Sequence, residues 1–212
     1  MGELFRGLYA PLLLTISLAL SLSACANEMA TTTCGGRPGV KVASDAETKY
    51  VKAAEMMAKR ETLKRPQQLE VIKLLQEADA AGCPRATVML ATLKIEQLAS
   101  LEVCSYEGSG CAAEKRAAMT VQHESVADEI SVLLRKSVQA GEGEYEYGLF
   151  LLTQSSRHYS AAEGRKYIEL AAANDDERAA AFLHEAFLEG KDGFPRDDEK
   201  ASYWRKRMGK QN

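Results

Sequence analysis

Helical periodicity runs through most of the chain after residue 43, and prolines and glycines divide it into segments. Residues 44–47, Ser-Asp-Ala-Glu, match the capping-box pattern that opens a helix. Pro66 and Pro84 each stand where the first turn of a helix tolerates proline. The predicted helices cover residues 44–64, 66–82, 84–103 and 112–140. Because nothing after residue 43 alternates as a strand does, the pattern predicts an all-α protein.

Related segments recur along the chain. They begin at Leu74, Leu133, Tyr167 and Tyr203, so the intervals between them are 59, 34 and 36 residues. Two intervals near 35 residues indicate a repeated pair of helices, and the longer interval is one such unit with an insertion of roughly 25 residues. We place that insertion around residues 99–125.

The C-terminal part of the chain carries the clearest motif. Its segments are residues 167–179, 181–183, 188–190, 193–197 and 200–204, which read YIELAAANDDERA, AFL, LEG, GFPRD and KASYW. Together they resemble the Sel-one-like repeat (SLR), a relative of the tetratricopeptide repeat. The match is strong from about residue 133 to the C-terminus, weaker over residues 74–98, and absent over residues 45–66. The resemblance implies a short right-handed α-solenoid of antiparallel helix pairs over residues 44–212.

Turn and capping residues of this motif lead to specific local expectations. Gly190 can end its helix in the left-handed conformation, and Asp197 can cap the next helix. Asp175 stands where the repeat family has a turn glycine, so this position departs from the pattern. The acidic run at residues 175–177 is expected to cap a helix N-terminus.

The N-terminus carries the features of an export signal. Residues 8–22 are apolar apart from Ser and Thr, which is too short a run to span a bilayer. The following Leu22-Ser23-Ala24-Cys25 resembles the bacterial lipobox. The resemblance implies a signal peptide over residues 1–24, lipidation of Cys25 and, with Ala rather than Asp at position 26, an outer-membrane location facing the periplasm. An ordinary signal peptide followed by a chance cysteine is the alternative. Residues 25–43 are expected to form a flexible tether between lipid and fold.

Four further cysteines, at positions 34, 83, 104 and 111, suggest disulfides in an exported chain and allow three pairings. A helix over residues 84–103 spans about 30 Å, whereas a disulfide requires its two Cα atoms within about 7 Å. Cys83 and Cys104 are therefore expected to be too far apart. We expect Cys104 to pair with Cys111 and Cys34 with Cys83. A zinc site is the competing interpretation, but the paired CxxC spacing is missing.

The composition and net charge exclude further classes of function. The 212 residues are 46% hydrophobic and 27% charged, which suits one soluble domain or a short repeat array. A net charge of −3 gives no basic field for a phosphate backbone, so we expect no nucleic-acid partner.

The sequence holds no recognisable catalytic motif. A GxSxG elbow, a phosphate-binding glycine loop and an HExxH pair are missing. His184 lies in an Ala- and Phe-rich segment and is expected to be packed or hydrogen-bonded, whereas His123 and His158 are expected to face solvent. We therefore predict no enzyme, no cofactor, no metal and no small-molecule substrate. A β-lactam-binding enzyme is the remote alternative, because some cysteine-rich members of the repeat family are associated with β-lactams.

Residues 144–150, Glu-Tyr-Glu-Tyr-Gly-Leu-Phe, hold too many large side chains for one core stripe of a helix. If this helix lines the concave face, as such helices do in the repeat family, then Tyr145, Arg157 and Tyr159 are candidate partner contacts. An aromatic stripe packed in the core is the alternative.

The family resemblance and the export signal together suggest a lipid-anchored protein-binding solenoid. Small Sel-one-like lipoproteins resemble immunity proteins that neutralise type VI secretion lipase or phospholipase effectors. The expected partner is therefore a protein, such as a secreted lipase toxin, with the membrane contacted through the lipid anchor. A periplasmic regulatory or envelope-assembly adaptor is the alternative.

Overall fold

The computed structural model describes residues 33–102, 112–153 and 157–208, and within these ranges the protein is all-helical, which confirms the predicted class. The helices are α1 Ser44–Met57, α2 Arg65–Ala80, α3 Pro84–Glu102, α4 Ala113–Gln139, α5 Glu144–Leu152, α6 Ala161–Ala173, α7 Glu177–Glu189 and α8 Asp198–Met208, with a short 3-10 helix at Arg60–Thr62. Helices that are consecutive in the chain pack against each other. The most extensive contacts join α1 with α2, α3 with α4, α5 with α6 and α7 with α8.

The predicted turn residues have the expected local geometry. Gly190 follows α7 with a φ of 69°, in the left-handed region. Asp176 caps α7, since its carboxylate accepts hydrogen bonds from the backbone N–H groups of Arg178 and Ala179 at 2.9 and 3.1 Å. Asp197 caps α8 in the same way. Asp175 has a φ of 65°, so an aspartate adopts the conformation for which the repeat pattern uses glycine.

The first helix differs from the expectation at both ends. No side chain caps the N-terminus of α1, so the capping-box pattern at residues 44–47 does not form a capping box. The helix ends at Met57, and the 3-10 helix covers part of the remaining stretch to residue 64.

Three apolar cores follow one another along the chain. The first joins α1, α2 and α3 around Tyr50, Leu75 and Met89. The second joins α3, α4 and α5 and includes Ile130, and the third joins α5 to α8 and includes Leu183. Each core is formed by helices that are close in sequence.

Helix α5 contributes to two of these cores. Tyr147, Phe150 and Leu151 belong to the second core, whereas Tyr145 belongs to the third. The excess of large side chains in this helix is therefore buried on two faces. This double burial is the physical reason why the helix has no exposed aromatic stripe.

The segment before α1 is docked on the fold. Cys34 and Cys83 form a disulfide with a Cα–Cα distance of 4.9 Å, as predicted. The backbone N–H of Arg37 donates to the carbonyl of Ala140 at 2.7 Å, and that of Ala43 donates to the carbonyl of Ala81 at 3.1 Å. The predicted tether extends to residue 43, whereas the disulfide and these bonds connect residues 33–43 to the helices. Cys25, Cys104 and Cys111 lie outside the described residues.

Candidate protein-binding surface

One face of α4 is exposed and partly apolar. Val121, Ser125, Asp128 and Val132 are spaced by four, three and four residues, which places them on one side of the helix. Val121 is 73% exposed and Val132 is 67% exposed, so neither side chain belongs to a core. Asp128 lies between them along the helix.

Asp128 binds the loop that connects α5 with α6. Its Oδ1 accepts a hydrogen bond from the Nε of Arg157 at 3.0 Å, and its Oδ2 accepts a second from the Nη2 of the same guanidinium. The Nε2 of His158 lies 2.8 Å from Oδ1. A carboxylate in a bidentate hydrogen-bonded pair with an arginine has a defined orientation as well as a favourable energy.

Glu124, one turn before Asp128, extends this group of charges. Its Oε2 lies 3.2 Å from the Nε of Arg157 and is buried. The two atoms form an ion pair, while the hydrogen-bond geometry of the guanidinium is directed at Asp128. We call Glu124, Asp128, Arg157 and His158 the Asp128 cluster.

The electrostatics of the Asp128 cluster follow from these contacts. The hydrogen bond from Arg157, and then the contact with His158, lower the pKa of the Asp128 carboxyl below its ordinary value. The same hydrogen bond raises the pKa of Arg157. Both groups are therefore charged at neutral pH, and Arg157 is held in one orientation on the surface of α4.

The chain continues from the cluster to the exposed Tyr159. The ring of His158 packs 5.8 Å from the ring of Phe150, which belongs to the second core. Tyr159 is the next residue and is 45% exposed. We call Val121, Asp128, Val132, Arg157 and Tyr159 the α4 surface.

Of the three residues predicted to contact a partner, Arg157 and Tyr159 lie together on this surface. Tyr145 does not: it is only 7% exposed and packs in the third core. The expectation of an exposed ring at position 145 is wrong, because the guanidinium of Arg178 covers it, with the central carbon 4.9 Å from the ring centroid.

Of the three histidines, one has the predicted environment and two do not. His184 donates or accepts at Nδ1, 2.9 Å from the carbonyl of Ala201, as expected for a packed histidine. The prediction that His123 and His158 face solvent is wrong, because His123 is buried and His158 is bound to Asp128. The sequence signal for the α4 surface was weak: it consists of Val121 and Val132, two valines eleven residues apart on a charged helix.

The large exposed apolar side chains of the described residues are unevenly distributed among the helices. Most large ones lie on the second helix of each closely packed pair: Leu69 and Ile72 on α2, Val121 and Val132 on α4, Leu170 on α6 and Tyr203 on α8. Leu188 on α7 and Tyr159 in a loop are the other two. Two of the six side chains on these second helices, Val121 and Val132, belong to the α4 surface.

Other site types receive no support within the described ranges. There, no group of three or more His, Cys, Asp and Glu side chains is arranged to hold a metal ion. Among the same residues, none of the helices combines the length and apolar character needed to cross a bilayer.

Comparisons with known proteins give no relative. No protein-family model matches the chain, and no curated protein and no solved structure is significantly similar to it.

Proposed function

We propose that the chain is a lipid-anchored periplasmic protein with a Sel-one-like α-solenoid, and that it binds and neutralises a secreted lipase or phospholipase toxin. The observation that carries protein binding is the α4 surface, on which Asp128 holds Arg157 and lies between two exposed valines along the helix, with the exposed Tyr159 two residues after Arg157. The close packing of consecutive helices supports the repeat architecture. The lipobox-like residues 22–25 and the family resemblance support the anchor and the class of partner.

The α4 surface has the composition of a binding hot spot. Arginine and tyrosine are enriched among the residues that dominate protein interfaces, and they act best when their positions are fixed before binding. The guanidinium of Arg157 has five N–H groups, of which Asp128 uses two. The remaining groups can bind a carboxylate or a carbonyl of the partner while Val121 and Val132 supply apolar contact.

The required affinity sets the scale of the interface. Neutralising a toxin present in few copies calls for a Kd near 1 nM, which corresponds to about 12 kcal/mol. Standard interfaces bury about 1,600 Å² in total, so the α4 surface forms the centre of a larger contact. A lipid anchor adds to this affinity by keeping the inhibitor at the membrane on which a lipase acts.

The test is co-expression of the chain with the product of the adjacent gene directed to the periplasm. Survival of cells that express the intact protein supports immunity, and unimpaired killing contradicts it. Purified protein should bind the toxin, and Arg157→Ala and Tyr159→Ala should each weaken binding at least fivefold. Arg196→Ala is the matched control, because Arg196 is also an exposed arginine and pairs only locally with Asp198.

Two further results discriminate between classes of function. If the adjacent genes encode envelope-assembly factors and the protein binds one of them without blocking any activity, the adaptor is correct instead. A hydrolytic rate measured on the purified domain, for a β-lactam or an ester, would contradict a pure binding role.

A further inference from the structure

The disulfide shortens the connection between lipid and fold. Cys34 is joined covalently to Cys83, directly before α3, so nine residue steps separate Cys25 from this attachment and not the eighteen that reach residue 43. Nine residues reach at most about 30 Å when fully extended. Helix α4 alone, with 27 residues, is about 40 Å long. The connection is therefore shorter than the longest helix of the domain.

The attachment point lies at one end of several helices. Besides the disulfide, the Arg85 N–H at the start of α3 donates to the carbonyl of Cys34 at 3.1 Å. The Gly36 N–H donates to Oε1 of Glu142 at 2.9 Å, in the loop between α4 and α5. With the contacts of Arg37 and Ala43, these bonds gather the end of α2, the start of α3, the end of α4 and the start of α5 around residues 33–43. We call this region the disulfide end.

The α4 surface lies away from the disulfide end. Asp128 is eleven residues before Gln139, the last residue of α4, which places it about 17 Å along the helix axis. Val121 is seven residues further, at about 27 Å. Tyr159 follows the C-terminus of α5, whose N-terminus is at the disulfide end.

Two exposed basic side chains at the disulfide end can contact a membrane surface. Arg37 and Lys41 are exposed, and both lie in the docked segment. The nearby Glu142 carboxylate is engaged by the Gly36 N–H and lies 3.6 Å from the Nε of Arg85. Basic groups near the anchor are attracted to anionic lipid headgroups.

We propose that the disulfide end faces the lipid bilayer and that the α4 surface faces away from it, towards the periplasm. The inference rests on the proposed lipidation of Cys25 and deepens the proposed function, because it states which side of the anchored protein a partner can approach. The bilayer contacts the residues around Arg37 and Lys41, whereas Arg157 and Tyr159 stay accessible.

Energy transfer from a single tryptophan to the membrane tests this orientation. Trp204→Phe removes the only native tryptophan, and Pro38→Trp or Val121→Trp then places one at an exposed position near to or far from the disulfide end. The lipidated proteins are placed in vesicles of phosphatidylethanolamine and phosphatidylglycerol that carry dansyl headgroups. We expect at least twofold more transfer from position 38 than from position 121. Equal transfer, or more transfer from position 121, would overturn the orientation.

Two controls separate the possible failures. Mass spectrometry of the same proteins shows whether Cys25 carries lipid, and its absence overturns the proposed anchor rather than the geometry of the disulfide end. An insertion of twenty Gly and Ser residues after Ala26 should reduce the difference between the two positions severalfold. A difference that is unchanged by the insertion would overturn the argument from the length of the connection.

Discussion

The guanidinium of Arg178 lies over the ring of Tyr145 and at the same time donates from Nη1 to Oε1 of Glu146 at 2.6 Å. Its Nη2 also donates to the carboxylate of Asp176 at 2.8 Å. One arginine on α7 thus covers an aromatic side chain of α5 and neutralises the neighbouring glutamate. This arrangement explains how α5 can bury both Tyr145 and Glu146.

Glu146→Gln should destabilise the fold. The substitution removes the negative charge that Arg178 contacts on α5, while Asp176 remains as a charged partner. Breaking a buried ion pair from one side costs several kcal/mol, and since Asp176 remains, we expect a loss of about 1–3 kcal/mol. Urea denaturation at pH 7 measures this loss, and an unchanged midpoint would contradict the role given to Arg178.

Glu144→Gln should have the opposite effect at neutral pH. Burial raises the pKa of the Glu144 carboxyl above its ordinary value. The pKa of this carboxyl is higher in the folded protein than in the unfolded chain. The free energy of unfolding therefore falls as the pH rises through the interval between these two pKa values. The variant should therefore be more stable than the wild type at pH 7, and the difference should vanish below about pH 4. Denaturation curves at the two pH values check the sign; a destabilised variant at pH 7 would show that Glu144 has a favourable partner.

The pair Cys34→Ser and Cys83→Ser should lower the free energy of unfolding. The disulfide closes a loop with a sequence separation of 49 residues, for which the chain-entropy relation gives about 4 kcal/mol. The double substitution is preferable to a reductant, because a reductant would also act on any bond between Cys104 and Cys111. A loss below about 1 kcal/mol would mean that the backbone hydrogen bonds of residues 33–43 suffice to hold the segment.

Gly164→Ala tests the close approach of α5 and α6. A Cβ at Gly164 would lie 2.9 Å from the carbonyl oxygen of Gly148 and 2.8 Å from Cγ of Leu152. Helix propensity alone would favour alanine by about 1 kcal/mol, but crowding of this kind costs about 1–3 kcal/mol. We expect a net loss of stability in thermal denaturation. Ala162→Gly, at an exposed position of the same helix, measures the propensity effect alone.

Asp128→Ala should release the loop that carries Arg157. The substitution removes the hydrogen-bonded partner of both Arg157 and His158, so trypsin should cleave after Arg157 several times faster than in the wild type. Glu129→Ala is the control, since Glu129 is an acid on the same helix that pairs with Lys94 instead. Equal cleavage rates in the two variants would contradict the positioning role of Asp128.

Local features of this fold were predictable from the sequence. Proline and glycine mark the helix boundaries near Pro66 and Pro84. Asp176 and Asp197 cap helices through residues two or three positions away, and Gly190 ends α7 in the left-handed conformation. These features depend on short-range stereochemistry, which a single sequence displays directly. The Cys34–Cys83 pairing was also predictable, because a helix as long as α3 keeps Cys83, which precedes it, far from any cysteine that follows it.

Features that depend on distant residues were not predictable. Tyr145 has the spacing of an exposed aromatic, and only the position of Arg178, 33 residues later, shows that it is covered. Asp128 and Arg157 are similarly far apart in the chain. The docking of residues 33–43 depends on Ala81, Ala140 and Glu142, none of which has a distinctive sequence pattern.

The double burial of α5 has a consequence for how the protein unfolds. Arrays of helical repeats often lose their units one at a time from an end, because each unit contacts only its neighbours. Here the nine residues of α5 supply Tyr147 and Phe150 to one core and Tyr145 to the next. Melting either core removes packing from the same short helix and so weakens the other. Helix α3 links the first core to the second in the same way, with Met89 in one and Leu98 in the other. Helices α1 to α8 should therefore exchange their most protected amide hydrogens with a common free energy of opening, as a single cooperative unit.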